Sequence, residues 1–401
     1  MKLWKKVSVA FAIFLLLFIV FKKGSNTGNS KEEIVIYNNK FLPVNRFNDT
    51  LYRIRKSVTL LVRYTPESSV FLNQTIYSFL FSFPHQPVII VSDSLIAQEQ
   101  MISLSKLVNV KTINLDLDLL HPSVDRNVLN QVNTKYLFIV PLGVVSITSD
   151  VMLSLIENLE NFGGSFLAVP NKNVKLKCLK MNLNLIQWTI EYQKDKNNNI
   201  CDAVDGIHGI LTKTETLQKI GEPFMLPFPE ALYLQGKSLG MKTKILNKIK
   251  LSLIKIQLPD QKSMQIRQLQ RQIMYHRLKI KKVLRETGMV EWYGCTRKTQ
   301  RCFKTVINSV PDYLRQGRWT PPCCLRVLRE TTKHVFETLK KWNVTFWLEG
   351  GSLLGAMRTK DIIPWDYDVD LGAYADDILK CPLLKTIHFQ KPTKVISNIF
   401  F

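Results

Sequence analysis

The chain has 401 residues, 46% of them hydrophobic and 22% charged; it can bury sizeable cores in two domains and is neither a disordered tail nor a small disulfide knot. Lys and Arg number 55 against 32 Asp and Glu, a formal excess of +23, the balance of proteins that meet nucleic acid, anionic membranes or phosphate-rich substrates. Seven cysteines are too few for a disulfide scaffold and enough for a metal site or one or two bridges.

After Met1-Lys2-Leu3-Trp4-Lys5-Lys6 comes an apolar run from Val7 to Phe21, interrupted only by Ser8 and closed by Lys22-Lys23. As a helix it would span roughly 22 Å at ~1.5 Å per residue, and flanking lysines and Trp4 extend it by snorkelling. No small-residue cleavage site follows, so residues 1–23 are expected to be a cytosolic tail and an uncleaved signal anchor. The rest of the chain would then be lumenal, in the endoplasmic reticulum or Golgi, whose thinner membranes suit a short span. Asn-x-Thr sequons at Asn48, Asn73 and Asn343 agree with that side of the membrane. A lumenal address sets nucleic acid aside as a partner and favours paired or metal-bound thiols. Residues 24–56 open with the polar GSNTGNSK and are expected to form a stalk.

From Val58 short apolar runs alternate with helical stretches: strands at 58–62, 87–91, 110–115, 136–140 and 166–169, with helices at 67–82, 94–107 and 149–161. This alternation predicts an α/β domain over 57–258 with a mostly parallel, helix-covered sheet. Its order loosely resembles the A-type glycosyltransferase fold. Asp116-Leu117-Asp118 has the spelling of that fold's metal site, but alternating leucines around it place both carboxylates on a solvated edge. The segment after Tyr136–Val140 reads Pro141-Leu142-Gly143 and offers no carboxylate. The domain therefore reads as a binding or assembly module. Cys178 and Cys201 bracket a segment containing Trp188 and Tyr192 and are expected to form a disulfide.

Between Met241 and Gly288 lie thirteen Lys and Arg against Asp260 and Glu286, nearly half of the excess positive charge. Pro259-Asp260 starts a helix and Gly288 stops one, so 259–288 is expected to be a basic connector helix. Ile266, Leu269, Ile273, Leu278, Val283 and Leu284 would line one face, with the basic residues solvated on the other.

Residues 289–401 carry the chemistry. Cys295, Cys302, Cys323 and Cys324 cluster here. Thr320 is expected to cap the helix opened by Pro321, placing Cys323 and Cys324 in its first turn, where amide dipoles favour thiolates. A bridge between neighbouring cysteines is strained, so the four form two disulfides or bind one zinc. An apolar strand from Val344 then runs through Glu349-Gly350-Gly351-Ser352 into a helix, offering backbone amides and a hydroxyl to a phosphate. A second strand would bring Asp366, Asp368 and Asp370 to one face, because strand side chains alternate. Carboxylates stacked so closely repel one another unless a divalent cation sits among them; Mg²⁺ (or Mn²⁺) with substrate phosphate oxygens is the expected occupant.

Gly-Gly-Ser followed by Asp-x-Asp is the nucleotidyltransferase-fold signature. Written as Glu-Gly-Gly-Ser-Leu-Leu-Gly with Ile-Ile-Pro-Trp-Asp-Tyr-Asp-Val-Asp, it resembles the fukutin and LicD phosphotransferase family. Glu291-Trp-Tyr-Gly-Cys295, Arg301-Cys-Phe303 and Arg318-Trp-Thr-Pro-Pro-Cys-Cys-Leu325 are similar to that family's fukutin-related branch. The strong likeness covers about 290–381. It implies a single-pass type II Golgi membrane enzyme that uses CDP-ribitol to add ribitol phosphate to the O-mannosyl glycan of dystroglycan, as a homo-oligomer or with related family members. Carried over by position, Asp368 and Asp370 would be Mg²⁺ ligands beside Asp366. Gly350, Gly351, Ser352 and Arg358 would hold the nucleotide phosphates, and Cys295, Cys302, Cys323 and Cys324 a structural Zn²⁺.

The resemblance also implies a third carboxylate from a later strand. The chain ends 31 residues after Asp370, and Lys385–Phe401 contains no Asp or Glu, so the expectation is a catalytic domain cut short. An inactive assembly or regulatory module and an A-type glycosyltransferase using the first domain are the competing expectations.

Overall fold

The computed structural model describes residues 49–397 except 65–70, 94–103, 105, 116–125, 173, 196–198, 254–259, 294–311 and 383–394. The anchor expected over 1–23, the Asn48 sequon, Asp116, Asp118, Cys295, Cys302 and most of the helix expected over 94–107 lie outside the described residues. Among the described residues no helix is long and apolar enough to cross a membrane.

The part of the expected stalk that is described is a helix, α1 (Asp49–Ser57). It packs Ile54, with no exposed surface, into the core of the following domain. That domain is built on an eight-stranded sheet. In chain order its strands and helices are β1 (Val58–Arg63), α2 (Leu72–Ser82), β2 (Val88–Ser92), β3 (Val110–Asn114), β4 (Tyr136–Val140), α3 (Ser149–Phe162) and β5 (Phe166–Pro170). There follow β6 (Lys177–Asn184), β7 (Thr189–Lys194), β8 (Ile200–Cys201), β9 (Ala203–Asp205), β10 (His208–Lys213), α4 (Glu230–Ser238) and β11 (Thr243–Ile245). The large sheet runs β3-β2-β1-β4-β10-β5-β11-β8. β1, β2, β3 and β4 are parallel, with Leu60 opposite both Val88 and Phe138, while β10 runs antiparallel between β4 and β5.

Every residue of β1, β2, β4 and β5 is buried, as expected of strands covered on both faces, and the near-continuous Val, Ile, Leu and Phe runs explain it. Period-two alternation divides them between two cores. Leu61, Ile89, Leu137, Ile139, Phe166 and Ala168 face one way; Leu60, Val62, Val88, Ile90, Phe138 and Leu167 face the other. α3 starts where the Thr148 side chain accepts the Val151 N–H and ends at Gly163, whose φ of 65° suits glycine.

A second sheet runs β9-β6-β7-β12-β13, where β12 is Lys282–Leu284 and β13 Val290–Trp292. Cys178 on β6 and Cys201 on β8 form the expected disulfide, with Cα atoms 5.3 Å apart. The basic connector departs from expectation. Asp260 does cap a helix, α5 (Gln261–Arg277), accepting the Ser263 N–H at 2.8 Å, but the helix stops at Leu278 rather than Gly288. The chain turns through Lys279 at φ 55° and enters β12, which pairs parallel with β7.

The buried residues of α5 are Met274 and Tyr275, while Leu269, expected inside, is 56% exposed. The expected solvated basic face is partly spent on ion pairs. Arg271 reaches Glu230 at 2.8 Å, Arg277 pairs with Glu222, and Arg285 bridges Glu291 at 2.9 Å and Glu230 at 3.4 Å. The Tyr275 hydroxyl donates to Glu230 at 3.1 Å. A polar seat on the domain surface therefore overrides the apolar periodicity of the helix.

The carboxyl-terminal part comprises α6 (Pro322–Lys341), β14 (Phe346–Leu348), α7 (Gly350–Arg358), β15 (Leu371–Tyr374) and β16 (Val395–Ser397), with strand order β14-β15-β16. Leu328, Leu339, Val344, Val369, Leu371, Ala373 and Ile378 form its core.

Candidate active site

Pro322 opens α6 with a φ already suited to the first turn. The expected cap is displaced by one residue: Pro321 is the N-cap, and the buried Thr320 hydroxyl caps nothing. Thr320 instead donates its backbone N–H to the Pro364 carbonyl at 2.9 Å. Cys323 and Cys324 do sit in the first turn, and both are disulfide-bonded. Their sequence partners Cys295 and Cys302 lie outside the described residues. The chain leaves α6, past its C-cap Trp342, through Asn343, an exposed residue with φ 52°, which asparagine tolerates. Its sequon is open to solvent. That of Asn73 lies on α2, where the Asn73 Oδ1 atom is buried.

β14 and β15 pair antiparallel, Trp347 opposite Gly372. A Cβ at Gly372 would lie 2.4 Å from both the Trp347 indole and Glu349 Oε1. Glycine thus lets the indole cross β15 and donate its Nε1–H to Glu349 Oε1 at 3.0 Å. Glu349 is the N-cap residue of α7, and its own N–H donates to the Asp370 carbonyl at 3.1 Å. The Asp370 N–H in turn donates to Ser352 Oγ at 2.8 Å. Both backbone polar groups of Asp370 are therefore held by the start of α7.

The acidic segment is not the strand expected from its alternation. Residues 366–370 precede β15 in an irregular extended stretch, because their backbone groups are taken by Ile363, the Asp366 side chain and the start of α7 instead of a neighbouring strand. The carboxylates still gather. A Cβ at Gly351 would come within 2.7 Å of Asp366 Oδ2, and one at Gly350 would face Asp370 Oδ2 at 3.8 Å. The Gly-Gly pair removes the side chains that would keep both aspartates from the helix start.

Burial, then a hydrogen bond and the negative charge of Asp366, push the Asp368 carboxyl up to about 6. Asp370 is raised by burial and by the charges of Asp368 and Glu349. Asp366, Asp368, Asp370 and Glu349 thus form an anionic cluster at the positive end of α7. None of them has a Lys or Arg ion-pair partner among the described residues.

Hard carboxylate oxygens in mutual repulsion fit Mg²⁺ or Mn²⁺ by donor chemistry. No group of three or more acidic, His or Cys side chains among the described residues is already closed to ion-holding distance. Of the expected phosphate binders, Gly350, Gly351 and Ser352 lie at the helix start. Arg358 is exposed at the other end of α7, ~12 Å away along the axis at ~1.5 Å per residue, and does not join them. Sequence reasoning gave Glu349 no role, although its place directly before the Gly-Gly pair was the available signal. The bidentate Arg329–Asp361 pair, 2.6 Å on each arm, also escaped it; it anchors the near end of the acidic segment.

Among the described residues the large sheet offers no comparable cluster. In doubly wound sheets ligands bind at the carboxyl ends of the parallel strands. There the buried Arg63 guanidinium donates to the carbonyls of Phe224 at 2.8 Å and Val91 at 3.2 Å and pairs with Asp93.

Comparison with known proteins follows the same division. The fukutin-related protein stem domain profile matches residues 45–286, and the nucleotidyltransferase domain profile of LicD, FKTN and FKRP matches 343–398. Ribitol 5-phosphate transferase FKRP of Mus musculus is 34% identical over 341 residues, which are 82% of this chain and 67% of that protein. The Homo sapiens protein of the same name is 35% identical over the same shares. The crystal structure of S. aureus TarS 1-349 overlaps 54% of this chain and 69% of its own at 15% identity and a TM-score of 0.33, too low for anything to be drawn from it. A stem matched over most of its length and an acidic cluster on a LicD-type helix start lead to one conclusion: the chain belongs to the fukutin-related protein family.

Proposed function

We propose that the chain is a ribitol 5-phosphate transferase that takes ribitol phosphate from CDP-ribitol to a ribitol-phosphate-primed O-mannosyl glycan, that of dystroglycan. The carrying observation is the cluster of Asp366, Asp368, Asp370 and Glu349 at the amino end of α7, whose members raise one another's affinity for positive charge. Support comes from the family membership and from the names of the two mammalian relatives.

Asp366, Asp368 and Asp370 would hold a divalent cation, which when bound supplies neutralisation of charge on the transferring phosphoryl oxygens. The first-turn amides of α7 present N–H groups and a positive dipole end to the donor phosphates. Ser352 Oγ accepts the Asp370 N–H and keeps its own hydroxyl hydrogen free to donate. In the reaction an acceptor hydroxyl attacks the phosphorus bearing the donor ribitol and the bond to CMP breaks, so the chain contributes mainly position and electrostatics. A Golgi membrane location with a lumenal catalytic part belongs to the same proposal.

The purified protein, incubated with CDP-ribitol, Mg²⁺ and the primed glycan, should release CMP and extend the glycan by one ribitol phosphate. No extension with intact folding would leave a binding or assembly role as the better reading.

A further inference from the structure

The acidic segment is held at three places. Arg329 grips Asp361, the start of α7 grips Asp370, and the middle is gripped by Thr320, whose N–H donates to the Pro364 carbonyl two residues before Asp366. The first two grips come from the carboxyl-terminal part itself. The third comes from a strip, 318–320, that is seated on the stem.

That seat centres on Trp188, in the turn between β6 and β7. Trp188 is 8% exposed and has φ 61°, a conformation that is uncommon for a bulky residue and needs surrounding contacts to hold it. Its carbonyl accepts the N–H groups of Lys281 at 2.8 Å and Lys282 at 3.1 Å. Its indole Nε1–H donates to the Trp319 carbonyl at 2.7 Å, and the Arg318 guanidinium stacks on its ring at 3.4 Å. Arg318 also donates to the carbonyls of Leu185 and Lys279, each at 2.8 Å, and the Trp319 N–H donates to the Ile186 carbonyl at 2.9 Å. From this seat Thr320 reaches Pro364, and the Trp319 ring lies 6.3 Å from that of Trp365, the residue before Asp366.

We propose that Trp188 and Arg318 are positioning residues for the catalytic carboxylates: the stem, through the strip 318–320, sets where Asp366 and Asp368 stand. The inference rests on the assignment of those aspartates as the reacting-site carboxylates. A planar guanidinium that stacks on an indole while donating to two carbonyls cannot be replaced by an ammonium without losing the stack and one arm. Displacement of catalytic groups by about 1 Å costs on the order of a hundred-fold in rate, so a small shift of the strip is enough to matter.

The test uses the full chain and the variants Arg318→Lys and Trp188→Phe, with Arg271→Gln as a control that cuts the Glu230 ion pair on α5 without touching the strip. Amide hydrogen exchange is followed across 361–370, and kcat and KM for CDP-ribitol are measured. Arg318→Lys and Trp188→Phe are expected to speed exchange in 361–370 by about ten-fold, leaving β1 and β4 protected, and to lower kcat about ten-fold with KM changed about two-fold or less. Arg271→Gln should leave exchange in 361–370 as in the native chain. Unchanged exchange there in Arg318→Lys, or equal acceleration in Arg271→Gln, would overturn the proposal. If no variant, native included, transfers ribitol phosphate while exchange responds as described, the positioning role stands and the assigned reaction fails.

Discussion

Ser352 Oγ accepts the backbone N–H of Asp370 at 2.8 Å, so one hydroxyl, beside the Glu349 N–H to Asp370 carbonyl bond, fixes a helix start to an irregular acidic segment. The bond explains how carboxylates that repel one another stay together without strand pairing on either side. Ser352→Ala removes the acceptor from a part-buried amide, at about 1 kcal/mol. Activity should fall by about ten-fold or more because Asp370 loses its register. Thermal melting together with initial CMP release checks this; full activity in a folded Ser352→Ala protein would show that the bond is incidental.

Gly372 has no room for a side chain. Gly372→Ala would drive a methyl group into the Trp347 indole and Glu349 Oε1, each 2.4 Å away. The overlap should destabilise the carboxyl-terminal part by about 1–3 kcal/mol and release Glu349 from Trp347. Denaturant unfolding followed by Trp fluorescence reads the first effect, and an unshifted midpoint would contradict the packing described.

His208 predicts a dependence of stability on pH. It is buried between the Gly206 carbonyl and the Tyr233 hydroxyl, each 2.6 Å from a ring nitrogen, and burial lowers its pKa to about 4. The carbonyl can only accept, so Nδ1 donates and Nε2 accepts from Tyr233. The folded pKa lies below the unfolded value of about 6.5. The unfolded chain therefore binds the proton first, and stability is lost as pH falls from about 6.5 towards 4, by about 2 kcal/mol at pH 5. Urea unfolding at pH 7.5 and pH 5 should show a smaller loss for His208→Gln than for the native chain. Equal losses would mean that His208 titrates normally.

Cysteine chemistry separates bridges from zinc. Alkylation of the denatured, unreduced protein should modify Cys381, the buried free thiol, and spare Cys178, Cys201, Cys323 and Cys324. A zinc site would surrender alkylatable Cys323 and Cys324 on denaturation. Loss of the Cys178–Cys201 bridge in the double serine variant should cost about 2–4 kcal/mol.

The alternation of apolar runs with helices made the parallel half of the large sheet legible, because both-face burial leaves a continuous Val, Ile, Leu and Phe signature. β3, β4, α3 and β5 lie within a residue of expectation. Asp260 was legible as a helix start because its carboxylate can accept a first-turn N–H. The end of α5 was not, since Tyr275 and Arg271 are drawn to Glu230 by a polar seat that no helical period encodes. At the site, Gly350, Gly351, Ser352 and the three aspartates could be read from spacing. Their strand could not, because Ser352, Asp366 and Glu349 satisfy backbone groups that a ladder would otherwise require. Arg358 is grouped with the phosphate binders by adjacency in a motif, and in the fold two helical turns separate it from the helix start. The grip of Thr320 on Pro364 spans 44 positions of sequence and left no local mark.

CMP release from CDP-ribitol in the presence of Mg²⁺ and the primed glycan, compared among the native chain, Asp368→Ala and Arg358→Ala, decides whether the acidic cluster carries the transfer. Native release, a fall of about a thousand-fold or more in Asp368→Ala, and near-native rates in Arg358→Ala are the predicted results. Release that survives Asp368→Ala would mean that the acidic cluster does not carry the transfer.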